Sequence, residues 1–164
     1  MTIDLAIIRR NIAFGYIVKK ERGTIMIRYA QNSDLDTLTA LDKHVSASEL
    51  ENCINLRRVI IDEEDGKLVG WLRFGLFWDN TPFMNMLFII DGERGKGLGT
   101  ALCDFWESEM QTQGYDTVLT STLSNESAQH FYRKRGYKDC GSLILPNEPL
   151  EIILMKELVR ADFV

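Results

Sequence analysis

Cysteine, positive net charge and long apolar runs are all in short supply in this chain, and each shortage removes a class of protein. Cys53, Cys103 and Cys140 are odd in number and widely spaced, with no C-x-x-C and no nearby histidine. That pattern excludes a disulfide scaffold and the common zinc spacings. It reads as buried thiols in a reducing compartment, the cytoplasm, with no metal expected. Nineteen Lys and Arg against 24 Asp and Glu leave a formal net charge of −5, which argues against nucleic acid or an anionic membrane as partner. No apolar stretch approaches the roughly 18 residues that a membrane-spanning helix needs. Arg9-Arg10 follow the first apolar residues instead of preceding them, the reverse of a secretory leader. Internal repeats and low-complexity linkers are missing too.

What is present has ordinary globular composition. Of 164 residues, 45% are hydrophobic and 26% charged, enough for one domain with a real core and too few for two. Periodicity predicts a mixed α/β succession. A strand over about 24–30 precedes a helix capped by Ser33, with Leu35, Leu38 and Leu41 along one face. A second helix starts at Ser46 or Ser48 and turns Leu50, Cys53 and Ile54 inward. Residues 57–62 and 67–77 pair antiparallel across a turn at 63–66, and residues 79–82 turn the chain into a fourth strand. The next helix, from Leu98, buries Leu98, Ala101, Leu102, Phe105 and Met110. A fifth strand covers about 115–122, a helix starts near Asn125, and strands near 137–145 and 150–156 close the sheet.

Residues Arg94-Gly95-Lys96-Gly97-Leu98-Gly99 carry most of the chemistry. They lie between the apolar run 84–90 and the helix that starts at Leu98. A strand, a glycine-rich turn with two cations and a helix N-terminus make a site for a phosphorylated ligand. Glycines let backbone N–H groups approach an anion closely, and the amides of the first helical turn then hold it. A magnesium-binding P-loop would follow Gly-Lys with Ser or Thr, whereas Gly97 follows here. A dinucleotide loop needs G-x-G-x-x-G, whereas these glycines fall at 95, 97 and 99.

The R-x-x-G-x-G spacing of 94–99 resembles the acyl-CoA pyrophosphate loop of the GNAT N-acetyltransferase superfamily. Downstream, Asn125, Ala128, Phe131, Tyr132, Lys134, Gly136 and Tyr137 are similar to that superfamily's N-x-x-A-x-x-F-Y-x-K-x-G-F segment. Two motifs in this order, separated by a helix and a strand, are far more specific than either alone. The resemblance covers about residues 24 to 157. It implies a mixed α/β fold whose mostly antiparallel twisted sheet has six to seven strands, splays between the fourth and fifth, and carries about four helices. Residues 24–164 would be one acetyltransferase domain. Residues 1–23 would be an added element packed on it or on a partner subunit, and a homodimer is compatible with the resemblance.

The reaction so implied is direct transfer of an acetyl group from acetyl-CoA to a primary amine, of a small molecule or a peptide. Leu87, Phe88 and Ile89 would give main-chain contacts to the pantetheine arm. Gly95, Lys96, Gly97, Leu98, Gly99 and Thr100 would cradle the pyrophosphate, with Arg94 and Lys96 adding charge and no metal required. An amide near Ile89 would face the developing oxyanion. Tyr132 would face the thioester sulfur as general acid; because a free phenol near pKa 10 is a weaker acid than a thiol near 8.5, hydrogen-bonding the thiolate counts as much as proton donation. Asn125 would bind cofactor or ordered water, or else cap its helix.

A general base is not legible. Several relatives carry a glutamate early on the fourth strand, where this chain has Asn85. Asp79, Glu49, Glu51 and His44 are the remaining groups, His44 reading more readily as structural, and His130 falls at a variable position of the second motif. Trp71, Phe74, Phe77, Trp78 and Phe83 either line an amine pocket or fill the sheet core, with Trp71 assigned to the core. A reading from a different class is a non-catalytic acyl-CoA sensor, which the missing carboxylate favours and Tyr132 opposes.

Overall fold

The computed structural model of the protein describes residues 9–11, 15–20 and 23–158. Readings made of residues 1–8, 12–14, 21–22 and 159–164 lie outside these. The described residues form two compact units: one holds those up to Phe74 together with Met86–Trp106, the other Gly75–Asn85 and those from Glu107 onward.

In the first unit, β1 (Arg9–Asn11), β2 (Gly15–Lys20), β3 (Gly23–Tyr29), β4 (Val59–Glu64) and the first part of β5 (Lys67–Phe77) pair antiparallel in that order. On β3, Ile25 and Ile27 are buried while Met26 and Arg28 are half-buried, the alternation of a strand with one covered face. β4 shows none: Val59, Ile60, Ile61 and Asp62 are all buried, as in a strand covered on both sides. It starts and ends two residues later than the periodicity suggested, leaving Asp65-Gly66 as the turn into β5.

A 3-10 turn (Asn32–Asp34), α1 (Leu35–Leu41) and α2 (Ala47–Asn55) link β3 to β4. The Ser33 cap is corrected here. Ser33 lies inside the 3-10 turn and Asp34 precedes α1 without a side-chain cap bond to it; the Asp34 carboxylate instead accepts from Gln31 N–H at 2.7 Å and from Arg28 at 2.7 and 3.0 Å, which fixes the turn. Because α1 is only seven residues long, Leu38 alone is fully buried and Leu41, its last residue, stays exposed. Ser46 Oγ accepts from Glu49 N–H at 3.2 Å and caps α2, which buries Leu50, Cys53 and Ile54 as the spacing predicts. These side chains join Leu38, Val59, Ile61 and Trp71 in a core against which Phe88 is packed, its ring stacked on Trp71 at 4.6 Å.

In the second unit, the first part of β6 (Thr81–Ile89), β7 (Thr117–Leu123), β9 (Glu151–Glu157) and β8 (Lys138–Leu143) neighbour one another in that order. β6 and β7 are parallel and register only at Phe83–Leu119 and Met84–Thr120, where Thr120 Oγ1 donates to Met84 O at 3.1 Å. The other pairings are antiparallel. Among the described residues from Gly23 onward there are thus seven strands, mostly antiparallel with one parallel pair, and four α-helices; β1 and β2 raise the strands among the described residues to nine.

Four local expectations are overturned in this unit. β6 already starts at Thr81 after a three-residue turn, Trp78-Asp79-Asn80, so Pro82 is a buried strand residue and not part of the turn. The seventh strand of the order, β7, starts at Thr117, two residues later than read. Cys140 is exposed on β8, the outermost strand beside β9, and is no buried thiol. Asn125 does not cap its helix: α4 (Ala128–Lys134) is preceded by Ser127, and Asn125 lies in the exposed turn after β7. α3 (Leu98–Thr112) buries Leu98, Leu102, Phe105 and Met110 as predicted, but Ala101 is only half-buried, and Cys103 and Trp106 are buried as well.

Candidate active site

β6 runs out at Ile89, and the chain turns through 90–97 into α3. Gly95 and Gly97 hold φ of +77° and +86°, a conformation that costs an L side chain about 1–2 kcal/mol. A Cβ on either would meet nothing within 4 Å, so these glycines are required by backbone conformation, and the surface above them is open. Ala101 N–H donates to Gly97 O at 3.0 Å, which makes Gly97 the residue that opens the helix. The first-turn amides of Leu98 and Gly99 therefore have no acceptor within α3, and Thr100 completes that turn.

The loop's two cations are each matched by an acid three residues earlier. Arg94 Nη2 lies 3.2 Å from Asp91 Oδ1, its Nε donates to Ile89 O at 3.2 Å, and the guanidinium sits 5.5 Å from the Phe88 ring centroid. Lys96 Nζ pairs with Glu93 Oε2 at 2.5 Å, and that hydrogen bond raises the lysine above its ordinary pKa. With formal charge balanced, attraction for an anion falls to the backbone amides and the positive end of α3. Leu87, Phe88, Ile89 and residues 94–100 are thus gathered on one strand–loop–helix segment of the first unit.

Asn125 and Tyr132 belong to the second unit. Tyr132 is buried, its ring edge-on to Phe131 at 5.3 Å and to Tyr137 at 5.6 Å. The end of α4 explains why the second motif closes with Gly-Tyr. Gly136, at φ +90°, donates to Arg133 O at 3.0 Å, and Tyr137 N–H donates to Tyr132 O at 3.1 Å. These are the two bonds of a Schellman cap, and the Tyr132–Tyr137 ring contact is its usual apolar partner. The motif therefore fixes the tyrosine through both its carbonyl and its ring.

A cleft of about 480 Å³ also lies in the second unit. Phe77, Phe83, Leu143, Leu145 and Ile153 form its apolar walls, and Asn85, Ser121 and Glu151 supply polar groups. Of the five aromatic residues weighed for an amine pocket, Phe77 and Phe83 line it, their rings 5.9 Å apart. Trp71 and Phe74 are buried in the first unit, and Trp78 is 79% exposed beside Phe77. The proposed base groups fare differently. Asp79, Glu49, Glu51 and His44 are exposed, and none lines the cleft, whereas Asn85 does. Nothing in the sequence marks Glu151; only the pairing of β9 with β7 and β8 brings it there.

A mostly antiparallel sheet with one parallel pair, a glycine loop opening α3 and a Schellman-capped Phe-Tyr helix define an acetyltransferase-type domain. The model of the Acetyltransferase (GNAT) family matches residues 27–137, and the chain belongs to that family. Among solved structures, Ard1 from Thermoplasma volcanium is similar with a TM-score of 0.72 at 16% identity, over 82% of this chain and 98% of that one. The acetyltransferase yncA from Salmonella typhimurium, solved with acetyl-CoA, gives 0.70 at 17% identity over 84% and 96%. The ribosomal-protein-S18-alanine N-acetyltransferase from Escherichia coli gives 0.69 at 15% over 85% and 98%. At such identities the likeness establishes the fold. No curated protein matches the chain by sequence.

Proposed function

We propose that the protein transfers an acetyl group from acetyl-CoA directly to a primary amine within a ternary complex. The observation that carries this reading is the open glycine turn in which Gly97 starts α3 at the end of β6. Amides presented by a turn without side chains fit a pyrophosphate, and the neighbouring strand offers backbone to a pantetheine arm. The relatives support it, since yncA was solved with acetyl-CoA and the Escherichia coli enzyme is named for an alanine acceptor.

Bound there, acetyl-CoA supplies a thioester: a C–N bond forms to the acceptor as the C–S bond breaks, the nitrogen loses a proton and the sulfur gains one. The protein's part is positional and electrostatic. Leu87, Phe88 and Ile89 align the donor by their main chain, an amide near Ile89 faces the carbonyl oxygen, and residues 94–100 hold the phosphates. Tyr132 donates its hydroxyl hydrogen to the departing sulfur, and Asn125, exposed in the turn before α4, binds the donor or its water. Thiol release from acetyl-CoA across a panel of amines tests the reading. Acetyl-CoA binding without amine-dependent thiol release makes the protein a sensor and overturns it.

A further inference from the structure

The cleft of the second unit has a chemistry of its own. Along β9, Ile153 registers with Ser121 on β7 and Gly141 on β8, and Glu151 with Leu123 and Leu143. Residues two apart on a strand share a face, so Glu151 and Ile153 look into the same space. Glu151 is half-buried and is the one charged side chain in the lining among the described residues. Asn85, on β6, also lines the cleft and carries no charge. A Cβ on Gly75 would lie 3.1 Å from Asn85 Nδ2, so the bare backbone of β5 gives that amide its room. Around these polar groups the walls are aromatic and aliphatic, and Leu143 and Leu145 keep 52% and 41% of their surface exposed, apolar area that an occupant would cover.

From this arrangement we infer that the acceptor is a small primary amine with a single positive charge and an apolar body, an arylalkylamine or a branched alkylamine, whose amino group is recognised by Glu151. This rests on the acetyl-transfer reading and names its acceptor. The volume lies in the range of small-molecule sites. A polyamine or an aminoglycoside brings several charges to a lining with one carboxylate, leaving desolvated cations without partners. A free amino acid brings a carboxylate to a lining with no cation and an anion already present. Asn85 and Ser121, both hydrogen-bonding groups, are the other polar side chains of the lining. Asn85 also precedes Leu87 by two residues in β6.

The test is steady-state thiol release by the full chain with acetyl-CoA and, in turn, 2-phenylethylamine, spermidine, kanamycin, glycine and a peptide amide beginning with Phe. It is paired with calorimetric titration of 2-phenylethylamine into the CoA-saturated protein. The expected result is a kcat/KM for 2-phenylethylamine at least about tenfold above the others. Glu151→Gln raises its KM and Kd by about tenfold, the loss of one charge-assisted hydrogen bond, with the KM for acetyl-CoA unchanged; Glu151→Asp recovers part of the loss. Preference for spermidine, kanamycin, glycine or the peptide, or an unaltered KM in Glu151→Gln, overturns the inference and leaves acetyl transfer standing. Glu151-dependent binding of 2-phenylethylamine without thiol release supports the cleft assignment and overturns the catalytic reading.

Discussion

Tyr137 donates its phenolic hydrogen to Glu107 Oε1 at 3.0 Å, joining residues 30 positions apart. The same carboxylate accepts from Arg135 Nη2 at 3.0 Å and from Lys156 Nζ. α3, the cap of α4 and β9 thus meet on one buried side chain, 8% exposed. Removing one partner of such a group leaves the others buried without their counter-charge, which costs about 3 kcal/mol or more. Glu107→Leu is therefore expected to lower the urea midpoint by that equivalent at an unchanged m-value, and Tyr137→Phe, which deletes one hydroxyl, by about 1 kcal/mol. A midpoint for Glu107→Leu within 0.5 kcal/mol of wild type, on the order of a surface change, would mean that the cluster does not hold the unit together.

The Arg28–Asp34 pair sets an acid limit on the first unit. Burial pushes the Asp34 carboxyl up, but hydrogen bonds from Arg28 and from the Gln31 amide outweigh it, so the group titrates below the ordinary aspartate range. A depressed carboxylate contributes stability above its unfolded pKa, near 3.9. That contribution is lost as the pH falls through the lower folded value. Wild-type stability should thus decline on acidification below about pH 4. Asp34→Asn should cost about 1–2 kcal/mol at neutral pH and less at pH 2. Urea midpoints measured from pH 7 to pH 2 check this; parallel curves for the two proteins would remove Asp34 from the acid response.

Gly97 is where backbone conformation and proposed ligand binding coincide. At φ +86° with nothing within 4 Å of a Cβ, Gly97→Ala introduces strain without a clash. The expected outcomes are a stability loss of about 1 kcal/mol and an acetyl-CoA affinity lower by about tenfold or more, because the first-turn amides shift. Isothermal titration with acetyl-CoA reads the second effect. Unchanged affinity would move the phosphates away from this turn.

The loop at 94–99 and the segment 125–137 could be read from the sequence because each is a local device. Glycine spacing dictates the turn, and the closing Gly-Tyr of the second segment is a helix cap, written in consecutive residues. At Ser33 and Leu41 the structure departs from the sequence pattern for a different reason. Propensity places a serine at a helix start, but Arg28, six residues before Asp34, decides that turn through a side-chain pair. Leu41 fits an apolar stripe that the helix is too short to use. Glu151 was invisible because its neighbours, Leu123 and Leu143, lie in other strands, and no spacing within β9 marks it.

Glu93 opposes the anion that the loop is proposed to hold. Its ion pair with Lys96 and its own charge both work against a pyrophosphate. Glu93→Gln is expected to tighten acetyl-CoA binding by a factor of about two to three at low salt, the effect fading toward 0.5 M as the exposed charges are screened. Binding titrations at two salt concentrations decide it. Weaker binding in Glu93→Gln would show that Lys96 must be held by its partner in order to act.

Tyr132 is held by its carbonyl through Tyr137 N–H and by ring contacts on either side, so losing its hydroxyl should leave the fold in place. If the hydroxyl serves the departing sulfur, Tyr132→Phe lowers kcat by about 10²-fold, the lower end for a general acid, with the KM and Kd for acetyl-CoA within about twofold of wild type. A hydroxyl that only supports packing would give the opposite split, a lower urea midpoint with kcat retained. Steady-state kinetics with the best amine of the panel, run beside a denaturation curve, separates the two. Unchanged turnover in Tyr132→Phe would sink the assignment, and proton delivery to the sulfur would then pass to solvent.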